Sequence, residues 1–248
     1  MPAYMRDASN NLDEQRFLAE YDQSKFPRPS VTVDVALLCP SDGDLRTLIS
    51  RRSDFPFKNE WALPGGFVGI DESLDEAAAR VLRDKAGLRD IFLEQLYTFG
   101  DPNRDPRGWV ITVSYYALVP ASELEPSAPG TQLARVRVPW EGDVGGPVTI
   151  EDAQGNSLPL AFDHEQIVGV AVKRIRGKLD YTPIGFELLP ETFTLFDLQQ
   201  VHETVLGRDL NKDSFRRRML ASGLLEPTGD AREGTAHRQP ALYRRKKH

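Results

Sequence analysis

Residues 61–88 read WALPGGFVGIDESLDEAAARVLRDKAGL. A loop dense in Gly and Pro runs into a helix whose start and stop are both written in the chain. Ser73 with Glu76 makes a capping box, Ala77, Ala78 and Ala79 are strong helix formers, and Gly87 suits a left-handed stop. Glycines let the backbone approach phosphates closely. Acids one turn apart share a helix face and can hold Mg²⁺ through oxygen ligands. The stretch therefore suits metal-pyrophosphate binding to the extent that its helix carries the acids.

Upstream, residues 31–38 (VTVDVALL) and 45–50 are β-rich, and PSDGD between them is turn chemistry. Downstream, residues 91–97 and 109–119 read as strands flanking the loop FGDPNRDPRG, and a helix is expected over 163–179 with Ile167, Val168, Ala171, Val172 and Ile175 on its apolar side. Residues 1–27 read as a polar extension with one helix over 12–21. Residues 28–180 form the first domain. Within it 126–159, with ARVRVPW, GPVTIED and a QGN turn, is expected as an extra β excursion. Residues 181–190 are expected as a linker to a second domain, 186–248.

Gly66, Glu72, Arg80, Leu82, Gly87 and Leu88 stand at the spacing of the Nudix signature, and with WALPGG before them the stretch resembles that family. Three acidic positions of the family read Val81, Asp84 and Lys85 here. Val81 and Lys85 are i,i+4 on one helix face, so one metal-ligand position is apolar and the other cationic. Such a face binds Mg²⁺ poorly, and without the ion pyrophosphate cleavage lacks its charge neutralisation and activated water. Glu72, Arg80 and Asp84 thus read as vestigial catalytic positions, with Glu72 and Arg80 better suited to bracing the loop. Lys85 either meets a ligand phosphate as a point charge or is simply solvated.

A nucleotide pocket remains legible. Arg51 and Arg52 close a strand just before the glycine loop around Gly66, and Arg104, Asp105 and Arg107 lie in GDPNRDPRG. Arginine forks suit pyrophosphate and ribose. Phe99, Trp109 and Tyr116 are candidates to flank a base, with the core the more natural fate of Tyr116. The loop resembles the ADP-ribose branch of the family, which implies ADP-ribose or a related NAD metabolite as effector, with no cofactor or metal required.

The C-terminal segment reads helix, turn, basic helix, hairpin. Thr194 can cap a first helix with Leu195, Leu198, Val201 and Val205 on one side and Gly207 at its end. A second helix over 212–221 turns Phe215, Met219 and Leu220 inward and carries Lys212, Arg216, Arg217 and Arg218, with Asn211 and Ser214 near its start. Recognition helices read bases with their N-terminal residues while arginines take phosphate or guanine. Strands at 224–228 and 241–245 enclose a wing holding Arg232, His237 and Arg238. FDHEQI, PIGFELLPETFTL and NKDSFRRRML resemble the Nudix-related transcriptional regulators of NAD metabolism. The resemblance implies an α+β protein: a Nudix α/β/α sandwich with a mixed sheet, followed by a winged helix-turn-helix domain. It also implies a homodimeric repressor on a palindromic double-stranded DNA operator. The alternatives are an active ADP-ribose pyrophosphatase with an accessory tail, and a tail that binds protein.

Charge follows the same division. From Glu191 onward there are 11 Lys/Arg against 8 Asp/Glu, and elsewhere 20 against 29, so an acidic body precedes a basic end suited to a polyanion. No apolar run approaches the roughly 20 residues of a membrane span, and MPAYMRDASNNLDEQ lacks a signal pattern, which reads as a cytoplasmic protein. Cys39 is the one cysteine, at the end of an apolar run, and reads as a buried structural thiol.

Overall fold

The computed structural model describes residues 11–124, 129–179, 181–232 and 239–246. After helix α1 (Asn11–Glu20) the chain enters β1 (Ser30–Ser41), β2 (Asp44–Arg51), the short β3 (Trp61–Ala62) and β4 (Gly65–Phe67), helix α2 (Leu74–Ala86), β5 (Phe92–Phe99), β6 (Val110–Leu118), β7 (Thr131–Arg137), β8 (Thr149–Glu151) and helix α3 (His164–Lys178). These strands form one mixed sheet in the order β5-β6-β1-β2-β7-β8, with β3 on β2 and β4 on β1. The β1–β6 pair is parallel, the other pairs antiparallel.

Strand β1 sits in the middle and is buried on both faces, so its apolar run divides by parity. Val33, Val35, Leu37 and Cys39 meet Ala77, Ala78, Val81 and Leu82 of α2 on one side. Ala36 and Leu38 meet Ile167, Val168, Ala171, Val172 and Ile175 of α3 on the other. Each of the five α3 side chains is fully buried, and each Ile or Val adds about 1.5–3 kcal/mol of transfer free energy. The result is a helix–sheet–helix sandwich. Cys39 is fully buried in it, and burial pushes its thiol up to about 11, so it stays protonated and unreactive at neutral pH.

The remaining chain builds a smaller unit: β9 (Phe193–Thr194), α4 (Leu195–Leu206), α5 (Lys212–Ala221), β10 (Leu225–Ala231) and β11 (Ala241–Arg245), with the sheet order β10-β11-β9. Thr194 caps α4 through a capping box with Asp197, Gly207 ends it in the left-handed region, and Asn211 caps α5.

Two expectations change. Residues 181–190 are not a loose linker. Pro183–Leu188 is a 3₁₀ turn with Ile184, Gly185, Phe186 and Leu188 buried, and Leu189 follows them inside. Their apolar side chains join a cluster that runs from Ile175 and Leu179 of the sandwich to Leu198, Val201, Val205 and Phe215 of the C-terminal unit. The β excursion expected over 126–159 supplies β7 and β8 and is part of the main sheet rather than extra to it; residues 125–128 lie outside the described residues. Strand β7 pairs with β2 along Arg46↔Arg135 to Ser50↔Thr131, and Ala134 and Val136 enter the main core while Arg135 meets Asp44 at 2.8 Å.

Candidate ligand cleft and nucleic-acid interface

A cleft of about 240 Å³ opens where β1, β4, the 101–108 loop and the start of α3 converge. Its wall is ionic. Arg104, with its side chain 3% exposed, donates Nε and Nη2 to the two carboxylate oxygens of Asp163 at 2.8 and 2.6 Å. Asp163 is the residue that enters α3, and no side-chain capping bond is formed there, because the carboxylate is turned to the arginine instead. Burial opposes the Arg104 charge, yet the Asp163 hydrogen bonds and charge more than restore it. Asp105 accepts from Arg107 Nε and Nη2 at 3.0 and 2.6 Å and from the Arg107 backbone N–H at 2.9 Å. Burial pushes Asp105 up, and these hydrogen bonds overcome it and hold the carboxyl below its ordinary value.

Arg52 and Arg107 flank an aromatic at the mouth. Phe162 adopts a φ of 60°, in the left-handed region that bulky residues avoid. Its ring lies 4.8 Å from the Arg52 guanidinium and 5.7 Å from that of Arg107, and Phe57 packs edge-on at 4.8 Å. Arg52 donates to two backbone carbonyls, Pro56 O at 2.8 Å and Asp54 O at 3.4 Å. Burial and the neighbouring Arg107 charge both disfavour its protonated form, so an anion at the mouth is welcome there.

Deeper in, Asp34 of β1 is bracketed by Arg104 Nη2 and His164 Nε2, each at 3.6 Å. His164 Nδ1 accepts from the Leu63 N–H at 2.9 Å, so its proton sits on Nε2 facing Asp34. Burial holds His164 below its ordinary value and it is neutral at pH 7. The sequence gives no ligand role to Asp34, nor to Phe162, Asp163 and His164, although these three open the FDHEQI motif. A lone aspartate in the apolar run VTVDVALL was the available signal for the first of them.

The glycine loop is braced as its sequence suggests. Glu72 accepts from Arg80 Nε at 2.9 Å and Nη2 at 2.5 Å and from the Gly69 N–H at 2.6 Å, while Arg80 Nη2 also holds Phe67 O at 2.9 Å. The hydrogen bonds from Arg80, then that from Gly69, bring the Glu72 carboxyl down to about 2. Gly66 lines the cleft.

Other candidates stand elsewhere. Phe99 is in the core at 6% exposure, edge-on to Tyr97 and packed in the cluster on the α3 side. Tyr116 is core as well, and Trp109 is half exposed outside the cleft lining. Arg51, the last residue of β2, binds Asn59 O at 2.9 Å and lies over Trp61, away from the cleft. On α2, Val81 is buried, Asp84 pairs with Arg83 at 3.1 Å, and Lys85 is exposed; none lines the cleft. A carboxylate turned to arginine, a buried valine, an aspartate directed at Arg83 and an ammonium do not make an oxygen cage for Mg²⁺. Among the described residues no group of three or more His, Cys, Asp or Glu is arranged to hold a metal ion.

In the C-terminal unit, Lys212, Ser214, Arg216 and Arg217 are exposed on α5. Lys212 and Arg216 border a 520 Å³ hollow against the base of the hairpin at Gln239 and Pro240. Asn211 Oδ1 accepts from the Ser214 N–H at 3.0 Å, so it acts first as a helix cap. Arg218 lies 5.6 Å from the Phe215 ring of its own helix. Arg232 forks onto Asp197 at 3.0 and 2.5 Å, which ties the wing to the start of α4 rather than leaving that guanidinium for DNA. Leu220, expected inward, is 46% exposed. His237 and Arg238 lie outside the described residues.

Helix α3 bridges the two sites. Its start gives His164 to the cleft lining and, from the N-cap, Asp163 to Arg104, while near its other end buried Arg176 donates to Val205 O of α4 at 2.7 Å and to Trp140 O at 2.8 Å.

The NUDIX domain model matches residues 28–142, and the NrtR DNA-binding winged helix domain model matches residues 185–245. The chain is 40% identical over 238 residues to the ADPR responsive transcriptional repressor NtrR of Acinetobacter baylyi, covering 95% of this chain and 89% of that protein. The crystal structure of Shewanella oneidensis NrtR complexed with a 27mer DNA superposes with a TM-score of 0.74 at 35% identity, covering 87% of this chain and 93% of that one. The NUDIX domain of the same protein complexed with ADP ribose gives a TM-score of 0.51 at 33% identity, covering 65% and 98%.

Proposed function

The chain belongs to the family that joins a NUDIX domain to an NrtR DNA-binding winged helix domain, and from that premise we propose that it is a transcriptional repressor whose grip on DNA is set by ADP-ribose or a closely related nucleotide. The observation that carries the reading is α3. It lines the cleft with His164, holds the cleft's Arg104 through Asp163 at its N-terminus, and clamps α4 through Arg176, so a ligand that tightens the cleft acts on the element that orients the DNA-binding unit. Such control needs a differential affinity of only about 1–3 kcal/mol between two states.

The ligand-contacting set in this reading is Arg52 and Arg107 at the mouth, with Gly66 of the glycine loop giving close approach. Arg104 and Asp105 shape the wall. Lys212, Ser214, Arg216 and Arg217 face the duplex. Two copies related by a two-fold axis would span half-sites about 10 base pairs apart, or a multiple of that, in a palindromic operator. The same reading makes the protein a poor hydrolase and its effector site independent of metal, since Val81 and Lys85 stand at two of the three acidic positions of the signature that α2 resembles.

A mobility-shift titration on DNA upstream of the neighbouring genes, with and without ADP-ribose, tests it. We expect a specific shift whose midpoint moves at least fivefold with ADP-ribose. No shift on any fragment, together with Mg²⁺-dependent phosphate release at the order of 1–10 per second that Glu72→Gln abolishes, overturns it in favour of a pyrophosphatase.

A further inference from the structure

The cleft is unevenly paired, and the imbalance says what it reads. Two of its arginines are each held by an aspartate: Arg104 by Asp163 and Arg107 by Asp105. Arg52 is left with backbone carbonyls, and Asp34 with two ionic neighbours at 3.6 Å, beyond hydrogen-bond contact. The Asp34 side chain is 9% exposed, and a buried carboxylate without close donors is costly. Two residues earlier on the same face of β1, the Thr32 hydroxyl is buried in the cleft lining and has no hydrogen-bond partner among the described residues. Gly65 exists in a form that preserves this arrangement: a Cβ there would stand 2.0 Å from Asp34 Oδ1.

An occupant that completes the cleft therefore brings negative charge to the mouth, beside Arg52 and Arg107, and hydroxyl donors to the floor, at Asp34. A terminal ribose phosphate, whose sugar carries hydroxyls and no base, does both. Size narrows it further. At about 240 Å³ the cleft is below the roughly 300–1,000 Å³ that encloses a drug-sized ligand, so it takes a fragment of a dinucleotide-sized molecule and leaves the rest outside. We infer that Asp34, with Thr32 behind it, is the specificity-determining element that accepts the hydroxyls of a terminal ribose phosphate, so that the cleft selects a phosphoribosyl end over a bare diphosphate.

This inference rests on the nucleotide-sensing reading above, and the test separates the two. Calorimetric titration of the full-length protein with ADP-ribose, ADP, ribose 5-phosphate and inorganic pyrophosphate gives the ranking. The wild type is expected to prefer ADP-ribose to ADP by about tenfold or more, the size of one charge-assisted hydrogen bond, with ribose 5-phosphate competing and pyrophosphate not. In Asp34→Asn the preference for ADP-ribose over ADP falls towards one, and in Thr32→Val, which keeps the shape, it falls in part. The thermal midpoint of each variant reports folding, and Thr32→Val stands as the second probe if Asp34→Asn does not fold. Equal binding of ADP-ribose and ADP by the wild type, or a preference untouched by either variant, overturns the inference and leaves the sensing role intact. Absence of binding by all four compounds overturns the sensing role itself.

Discussion

Single side chains set what this fold can still do chemically. Val81, which the resemblance to the Nudix signature sets at an acidic position, is buried against the sheet rather than turned to solvent. Restoring a glutamate there would bury a carboxylate in an apolar cluster, so one substitution is a poor route back to metal binding. Glu72 serves the loop: held down to about 2 by Arg80 and the Gly69 N–H, it fastens the glycine loop. A carboxylate lowered in the folded state stabilises fully above its ordinary value of 4.5 and loses that contribution as pH falls towards 2. The thermal midpoint of wild type should therefore exceed that of Glu72→Gln at pH 7, with the gap narrowing below about pH 4.5 and gone near pH 2. A gap that does not change with pH would show that the brace is not ionic.

At the scale of elements, local signals are legible in the chain and long-range ones are not. Helices α2, α4 and α5 announce themselves because caps are contained within a few residues: Ser73 and Glu76, Thr194, Asn211, with Gly87 and Gly207 as stops. The 101–108 loop was legible as an arginine-rich stretch, but its pairing was not. Arg104 and Asp163 lie 59 positions apart, and only the packing of α3 under the sheet brings them together. For the same reason Phe99 looks free for a ligand in the sequence although its ring belongs to the α3-side core, and 181–190 looks like a linker although its apolar residues join that core. Arg232 illustrates the limit of reading charge as availability, since Asp197 already holds it. The basic face of α5 yields a sharper expectation. Arg216→Ala with Arg217→Ala should weaken operator binding and lower the salt slope by up to about 2 units of log K against log[salt]. Unchanged slope and affinity in a salt titration would move the DNA contact elsewhere.

On the scale of the whole molecule, the two sequence families share one interior. The cluster that begins under the sheet at Ile150 and Ile175 continues through Ile184, Phe186 and Leu188 into Val201, Val205 and Phe215. Heat should therefore unfold the chain in a single calorimetric transition. Saturating ADP-ribose at about 100 times its Kd should raise that transition by roughly 5–10 °C. Two separate transitions, with ligand moving only the first, would mean that the units are independent and that α3 transmits nothing. Arg176 has a further consequence for anyone who treats the protein as a kit. Its guanidinium sits beside Trp140 and holds carbonyls on both sides of the seam. A reader head grafted onto a foreign sensor at residue 190 would arrive with a greasy stump and an α4 carbonyl lacking its donor. A working chimera has to cut further upstream and carry the seam with it.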